Sequence, residues 1–306
     1  MVTIVARRLL QGIVVILGVT FVVFFVTRVI GDPVRASLPL EATPQEYANL
    51  ERELGFDRPL ATQFVDFLSQ LPSLDFGESL WQRGVPAREL VLERLPASFA
   101  LVGLGIGFAV VVSLVMGSIA ALRPGSWLDR LTVTTSLLGL SLPQFWLGLL
   151  LVLLFGVWLG WLPTSGRGGL DHAILPALAL ALPAAGRLTQ IVRSSMIDEL
   201  NRQYIVTARA KGMSFMYILR RHALRNAFLP VLTLIGWETI RTLAGYSVVV
   251  ETVFAWPGVG WLTMQAINNQ DIIVLQTIVF TVAILVVGIN LLVDILYTRL
   301  DPRVKL

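Results

Sequence analysis

Long charge-free apolar runs constrain this chain more than any other feature. A bilayer core about 30 Å thick is crossed by about 20 apolar residues in a single helix. Residues 9–27, 95–122, 131–166 and 272–293 each meet or approach that length without an Asp, Glu, Lys or Arg. Residues 226–250 form a fifth run, interrupted by Glu238 and Arg241, and 173–192 a sixth, apolar except for Arg187. Composition agrees: of 306 residues, 55% are hydrophobic and 14% charged, against roughly 45–50% and about 25% in soluble domains. The expected fold class is an all-α polytopic membrane protein with six transmembrane helices.

Orientation follows from the short loops, because Lys and Arg are retained on the cytoplasmic side. An N-in/C-in arrangement puts Arg7, Arg8, Arg123, Arg130, the basic stretch 193–225, Arg299, Arg303 and Lys305 inside, leaving only Arg167 in the short external loops. The net charge of +4 therefore reports topology, and no nucleic-acid partner is expected. Arg7 and Arg8 ahead of an apolar run also resemble a secretory signal. That run exceeds the usual core of about 7–15 residues and no small-x-small cleavage pattern follows it, so it is expected to remain as an anchor.

The expected organisation is residues 1–30 as N-terminus and first helix, 31–94 as an extracytoplasmic helical segment, and 95–306 as a five-helix core containing a cytoplasmic loop at 198–225. In the external segment, Asp32-Pro33, Leu38-Pro39, Thr43-Pro44, Arg58-Pro59, Leu71-Pro72 and Val85-Pro86 punctuate short helices. Thr43 and Pro44 suit the N-cap and first position of a helix ending near residue 54 at Gly55. Phe64, Val65, Phe67, Leu68 and Leu71 are spaced for a second helix with one apolar face. The segment either packs over the outer helix ends or receives an extracytoplasmic partner. Trp256-Pro257-Gly258 and Trp261 either lie at the membrane surface or fold back toward a pathway. Pro143, Pro176 and Pro183 fall within spans, where each removes a helix hydrogen bond and opens the way to a kink.

Several functions are excluded by counting. There are no cysteines, and the two histidines, His172 and His222, fall on opposite sides of the membrane in this topology, so a Cys/His metal or redox centre cannot assemble. A P-loop needs Lys followed by Ser or Thr; here Lys211 precedes Gly212 and Lys305 precedes Leu306. The spans hold no Ser/Lys, His/Asp or metal-ligand constellation for an intramembrane enzyme. No catalytic residue, metal or cofactor is assigned to the chain.

The basic interruption at 198–225 is too long and organised for a plain connector. Residues 203–211 have helical propensity, with Tyr204, Ala208, Gly212 and Phe215 recurring on nearly one face. Gly212 suits a left-handed helix end and Ser214 the cap of the next helix. Small residues at Ala208, Ala210 and Gly212 would let this surface enter another protein's groove, with Arg209 and Lys211 flanking it for charge pairing. The alternative is a basic loop serving only the positive-inside rule. Charges inside spans are costly and tend to be retained for a reason. Glu238 and Arg241 can pair at i, i+3, and with Arg187 they either line a polar pathway or tie neighbouring helices together.

The motif Thr207-Ala208-Arg209-Ala210-Lys211-Gly212, followed by Arg221-His222-Ala223-Leu224-Arg225-Asn226-Ala227 and Leu229-Pro230, resembles the EAA-type cytoplasmic loop of ABC-importer permeases. More narrowly, it is similar to the first-permease branch of the dipeptide/oligopeptide/nickel family. Further matches are Gly31-Asp32-Pro33, Leu54-Gly55-Phe56-Asp57-Arg58-Pro59-Leu60, Glu93-Arg94-Leu95-Pro96-Ala97, Gly125-Ser126-Trp127-Leu128-Asp129 and Leu140-Ser141-Leu142-Pro143-Gln144-Phe145-Trp146. Gly160-Trp161-Leu162-Pro163, 251–258 and Leu300-Asp301-Pro302-Arg303 complete the set. Thr207 stands where the general loop pattern has Glu, and Gly212 lies farther from Pro230 than in the sugar-importer branch; both departures are usual in the peptide branch.

The resemblance implies a type I importer fold in a bacterial or archaeal plasma membrane. The implied partners are membrane lipid, a second homologous permease, two cytoplasmic ATPases that bind ATP and Mg, and an extracytoplasmic solute-binding protein. It assigns Tyr204, Thr207, Ala208, Arg209, Ala210, Lys211, Gly212, Ser214 and Phe215 to ATPase coupling. Peptide is the expected cargo; nickel chelates, glutathione, opines and sugars are the alternatives within the family. An ion-coupled secondary transporter using Glu238 and Asp294 is the rival from another class, and it leaves the capped basic hairpin unexplained.

Overall fold

The fold was analysed in a computed structural model, which describes residues 2–30, 33–36, 38, 41–53 and 55–300. Gly31, Asp32, Pro39, Leu54, Asp301, Pro302, Arg303 and Lys305, used above for motifs, turns or topology, lie outside the described residues. In chain order the helices are α1 (Val2–Phe25), α2 (Pro33–Ala36), α3 (Pro44–Glu53), α4 (Leu60–Gln70), α5 (Ala87–Leu122), α6 (Trp127–Ser141) and α7 (Gln144–Leu151). They continue as α8 (Leu170–Leu200), α9 (Gln203–Ala210), α10 (Phe215–Ile218), α11 (Leu224–Arg241), α12 (Ser247–Val253), α13 (Val259–Asn268) and α14 (Ile272–Leu300). Wider π turns follow α1, α7, α10 and α11. Among the described residues the β content is one isolated bridge, Glu78 with Pro86.

Among the described residues, five helical stretches are long and apolar enough to cross a membrane: Ala6–Arg28, Ala87–Leu122, Leu170–Leu200, Phe215–Val253 and Ile272–Arg299. The third apolar run of the sequence is the exception. It forms α6 and α7 with its following turn, bent by 104° at Leu142-Pro143, and makes a sixth crossing only if the bent pair is one span. The cause is local: a residue before proline is driven out of the α region. Leu142 is extended (φ −89°, ψ 130°) and Pro143 opens α7 with φ −60°. Pro176 and Pro183 remain inside a continuous α8.

The chain divides into two compact units. The first comprises Met1–Pro96 with Gly258–Leu291. Its aromatic core joins Phe24, Phe67, Phe76 and Phe280, with Phe76 stacked on Phe280 at 5.0 Å and Phe67 edge-on to it at 5.6 Å. α4 reaches α1 through Phe64 against Phe24, but Val65 points away with 63% of its surface exposed. The expected apolar face of α4 thus narrows to Phe64, Phe67, Leu68 and Leu71, because Val65 lies on the far side of the helix from Phe67. α3 opens with a reciprocal capping box. The Thr43 hydroxyl accepts from the Glu46 N–H (3.3 Å) and the Glu46 carboxylate accepts from the Thr43 N–H (2.7 Å). That backbone donor, aided by the Thr43 hydroxyl, holds the Glu46 carboxyl below its ordinary range.

The second unit comprises Ala97–Pro257 with Leu292–Leu306. α8 is its axis, contacting α6, α7, α11 and α12. Without water to drive helices together, membrane packing relies on close approach through small residues, and α8 supplies Ala177, Ala179, Ala181, Ala184, Ala185 and Gly186. At Gly186 an added Cβ would lie 2.7 Å from the Ser136 carbonyl oxygen of α6. Trp256 is buried, its indole N–H donating to the Ala97 carbonyl at 2.9 Å. Beside it in the sequence, fully buried Glu251 accepts from the Ser98 hydroxyl at 2.7 Å.

Candidate functional site

Two features of the second unit concentrate the chain's polar chemistry. The first is the elbow between α8 and α11. α9 ends at Ala210, and Gly212 follows in the left-handed region at φ +73°. Its N–H donates to the Arg209 carbonyl (2.9 Å), while the Met213 N–H donates to the Ala208 carbonyl (3.3 Å). These two bonds complete a Schellman closure. Ser214 then occupies the N-cap of α10 with extended backbone (φ −62°, ψ 144°), but its hydroxyl makes no cap hydrogen bond there. α10 passes through the π turn Leu219–Ala223 into α11, as one apolar stretch ending at Val253.

Tyr204 ties the elbow to both adjoining helices. Its hydroxyl donates to the Glu199 carboxylate at the end of α8 and accepts from the Asn226 amide at 2.9 Å in α11. Burial first, and then the bond to Glu199, push the Tyr204 hydroxyl's pKa above its ordinary value, so it stays a donor. The single face expected from Tyr204, Ala208, Gly212 and Phe215 does not form. Ala208 is only 7% exposed and turns inward, with Ile205 and Ile218 also buried. The Schellman turn redirects the chain after Lys211, so helical spacing no longer applies beyond it.

The outer surface instead presents Val206, Met213, Phe215, Met216 and Tyr217, with Arg209, Ala210, Lys211 and Gly212 exposed among them. Thr207 is exposed and donates its hydroxyl to the Gln203 carbonyl one turn back (3.1 Å). Nothing lies within 4 Å of a Cβ built on Gly212. Glycine is therefore required there by backbone conformation and not by crowding.

The second feature is an ion cluster. Glu238 in α11 is fully buried and receives two parallel bonds from Arg187 of α8, Nε at 2.5 Å and Nη2 at 2.7 Å. Arg241, the i+3 neighbour, lies farther off at 4.0 Å from Oε1 and donates instead to the Tyr246 hydroxyl. The three charges singled out in the sequence are thus brought together, but the stronger pair joins two helices rather than one face of α11. Such forked geometry satisfies both carboxylate oxygens. Two further anchors carried no signal in the sequence, because their partners are distant. Asp129 of α6 accepts a forked pair from Arg193 of α8 as well as the Gly125 N–H (2.8 Å). In the first unit, buried Asp271 accepts from the Ser79 hydroxyl (2.5 Å) and the Trp81 N–H (3.1 Å).

Among the described residues no cluster of His, Cys, Asp and Glu has the makings of a metal site. Residues 113–306 match the family described as binding-protein-dependent transport system inner membrane component, and residues 1–101 match its N-terminal region. The oligopeptide transport system permease protein AppB of Bacillus subtilis is 37% identical over 310 residues, covering 98% of each chain. The glutathione transport system permease protein GsiC of Salmonella typhimurium is 38% identical over 302 residues, again covering 98% of both. The dipeptide transport system permease protein DppB of Alkalihalophilus pseudofirmus is 35% identical, with 98% of both covered. Among solved structures, an inward-facing form of the MetNI methionine ABC transporter superposes with a TM-score of 0.59 at 22% identity, over 69% of this chain and 96% of that one.

Proposed function

From the premise that the chain belongs to the binding-protein-dependent transport system inner membrane component family, we propose that it is a permease subunit of an ATP-driven importer of peptides. The observation that carries this reading is the elbow. It is a short helix closed by a Schellman turn between two spans, showing apolar Met213, Phe215 and Met216 beside Arg209 and Lys211. An exposed apolar surface rimmed by charge marks a place where another protein docks. In this reading the partners are two ATPase subunits that bind ATP and Mg, a second homologous permease and an extracytoplasmic solute-binding protein. The membrane is the plasma membrane of a bacterium or archaeon.

In an N-in/C-in arrangement residues 31–94 lie outside, and 95–306 form the five-helix permease core with the elbow on its cytoplasmic side. Closure of the ATPases on ATP would push α9 and α10 as a lever on the α8 and α11 ends tied by Tyr204. Such coupling requires contacts that differ between two states, and a buried elbow would leave nothing to push. Thr207, Arg209, Ala210, Lys211, Gly212, Ser214 and Phe215 belong to or shape the docked surface, while Ala208 supports it from beneath. Arg187, Glu238 and Arg241 act as a tie between α8 and α11.

Peptide as cargo draws on the relatives named for oligopeptides and dipeptides. The similarity to a glutathione permease favours short peptides broadly, since glutathione is itself a tripeptide. The test is reconstitution of the four kinds of subunit in proteoliposomes. ATP-dependent uptake of a dipeptide is expected. Uptake driven by a proton gradient without the ATPases would overturn the reading.

A further inference from the structure

We propose that the wall formed by α5 and the start of α11 holds the head group of an anionic phospholipid. A cavity of about 260 Å³ is lined there by Leu114 of α5 and by Arg220, Leu224, Arg225, Asn226, Phe228 and Leu229. Five residues separate the two arginines, which on an unbroken α-helix would turn them about 140° apart. The π turn Leu219–Ala223 pairs i with i+5 and widens that turn. Both arginines consequently line one cavity.

Their state sets them apart from the arginines that tie the helices of this unit together. Arg187, Arg193 and Arg241 are each committed to a carboxylate or phenol, whereas Arg220 and Arg225 are exposed and have no ion pair or side-chain hydrogen bond among the described residues. Two guanidinium groups beside an apolar floor of Leu114, Leu224, Phe228 and Leu229 call for one ligand that is anionic at one end and hydrocarbon at the other. Guanidinium forks match phosphate oxygens, and basic pockets between membrane helices hold acidic lipid head groups. Inorganic phosphate would meet the arginines but leave the apolar floor unused. The site depends only on the spans lying in a bilayer and is independent of what the protein transports.

The test is native mass spectrometry of the purified full-length chain equilibrated with equimolar phosphatidylglycerol and phosphatidylcholine. Wild type should retain phosphatidylglycerol preferentially, and the preference should fall about fivefold for each arginine removed, in Arg220→Gln and Arg225→Gln. Leu114→Trp keeps both charges but fills the cavity, and should lose the preference too. Arg221→Gln, outside the cavity lining, should keep it. Equal retention of the two lipids by wild type would overturn the site. So would undiminished preference in the double arginine variant or in Leu114→Trp, the latter reducing the effect to diffuse surface charge. Displacement of the lipid by millimolar inorganic phosphate would overturn the choice of a lipid over a free anion.

Discussion

The ion cluster joins α8 to α11 and the elbow of α9 and α10 connects the same two helices, yet they treat polar groups in opposite ways. At Glu238 a charge has been taken wholly out of solvent and paired with Arg187 of the neighbouring helix, with Arg241 one turn on at 4.0 Å. In the elbow Arg209 and Lys211 stay exposed, and Phe215 leaves 47% of its surface uncovered. Removing one member of a buried pair leaves an uncompensated charge, at a cost of about 3–5 kcal/mol. Substitutions on an exposed surface usually stay within about 0.5 kcal/mol. A difference of that size distinguishes a buried ion pair between two helices from an exposed surface.

The sharpest way to break the comparison is at the tie. Glu238→Ala should lower stability by about 3–5 kcal/mol, read as a large drop in the unfolding temperature of the purified protein. The double replacement Arg187→Met with Glu238→Met should recover much of that loss, because an apolar pair of similar volume avoids the desolvation cost. Uptake retained by the double variant fits a tie; uptake abolished in a stable double variant would move these residues into the pathway.

Next in size is Asp129→Asn, expected to cost about 1–3 kcal/mol by leaving Arg193 with a weaker acceptor. Hydrogen exchange should report it as loosening confined to α6 and the loop held through Gly125. At Gly212 the cost is smaller. Gly212→Ala forces a Cβ into the left-handed region, for about 1 kcal/mol, while Gly212→Trp adds bulk to an open surface. Both variants should reach the membrane at normal level, with ATP hydrolysis continuing and uptake lost in the tryptophan variant. Unchanged uptake in Gly212→Trp would remove the elbow from the coupling surface.

The smallest effect belongs to a site exposed on both counts, the capping box of α3. The Glu46 carboxyl is held below its ordinary value by the Thr43 N–H. Its contribution is therefore complete above the unfolded carboxyl's pKa and disappears as pH falls through the folded one. The protection factor of the amides at the start of α3, which corrects for the intrinsic slowing of exchange in acid, should fall on acidification in wild type and already be low at neutral pH in Glu46→Ala.

Much of this was legible in local pattern. Gly212 in the left-handed region and Thr43 with Glu46 at a helix start are decided within a few residues, by sterics and by the orphan N–H groups of a helix end. The inward turn of Ala208 was not legible, because helical spacing was carried across a Schellman break. The same limit applies to the third apolar run, where hydropathy measures length but is blind to the 104° bend at Leu142-Pro143. It also applies to Glu238, for which spacing offers Arg241 and packing delivers Arg187.

What the sequence determined by itself is therefore whatever depends on nearest neighbours and on transfer out of water. The apolar stretches, the basic bias of their ends, the caps and the motifs of the family belong to that class. Only the tertiary structure decided which charges meet: Arg187 with Glu238 across α8 and α11, Arg193 with Asp129 across α8 and α6, and Asp271 with the Ser79–Trp81 turn. The physical reason is that a buried charge accepts whichever partner packing brings within about 3 Å, and sequence separations of 51, 64 and 192 residues leave no periodic trace.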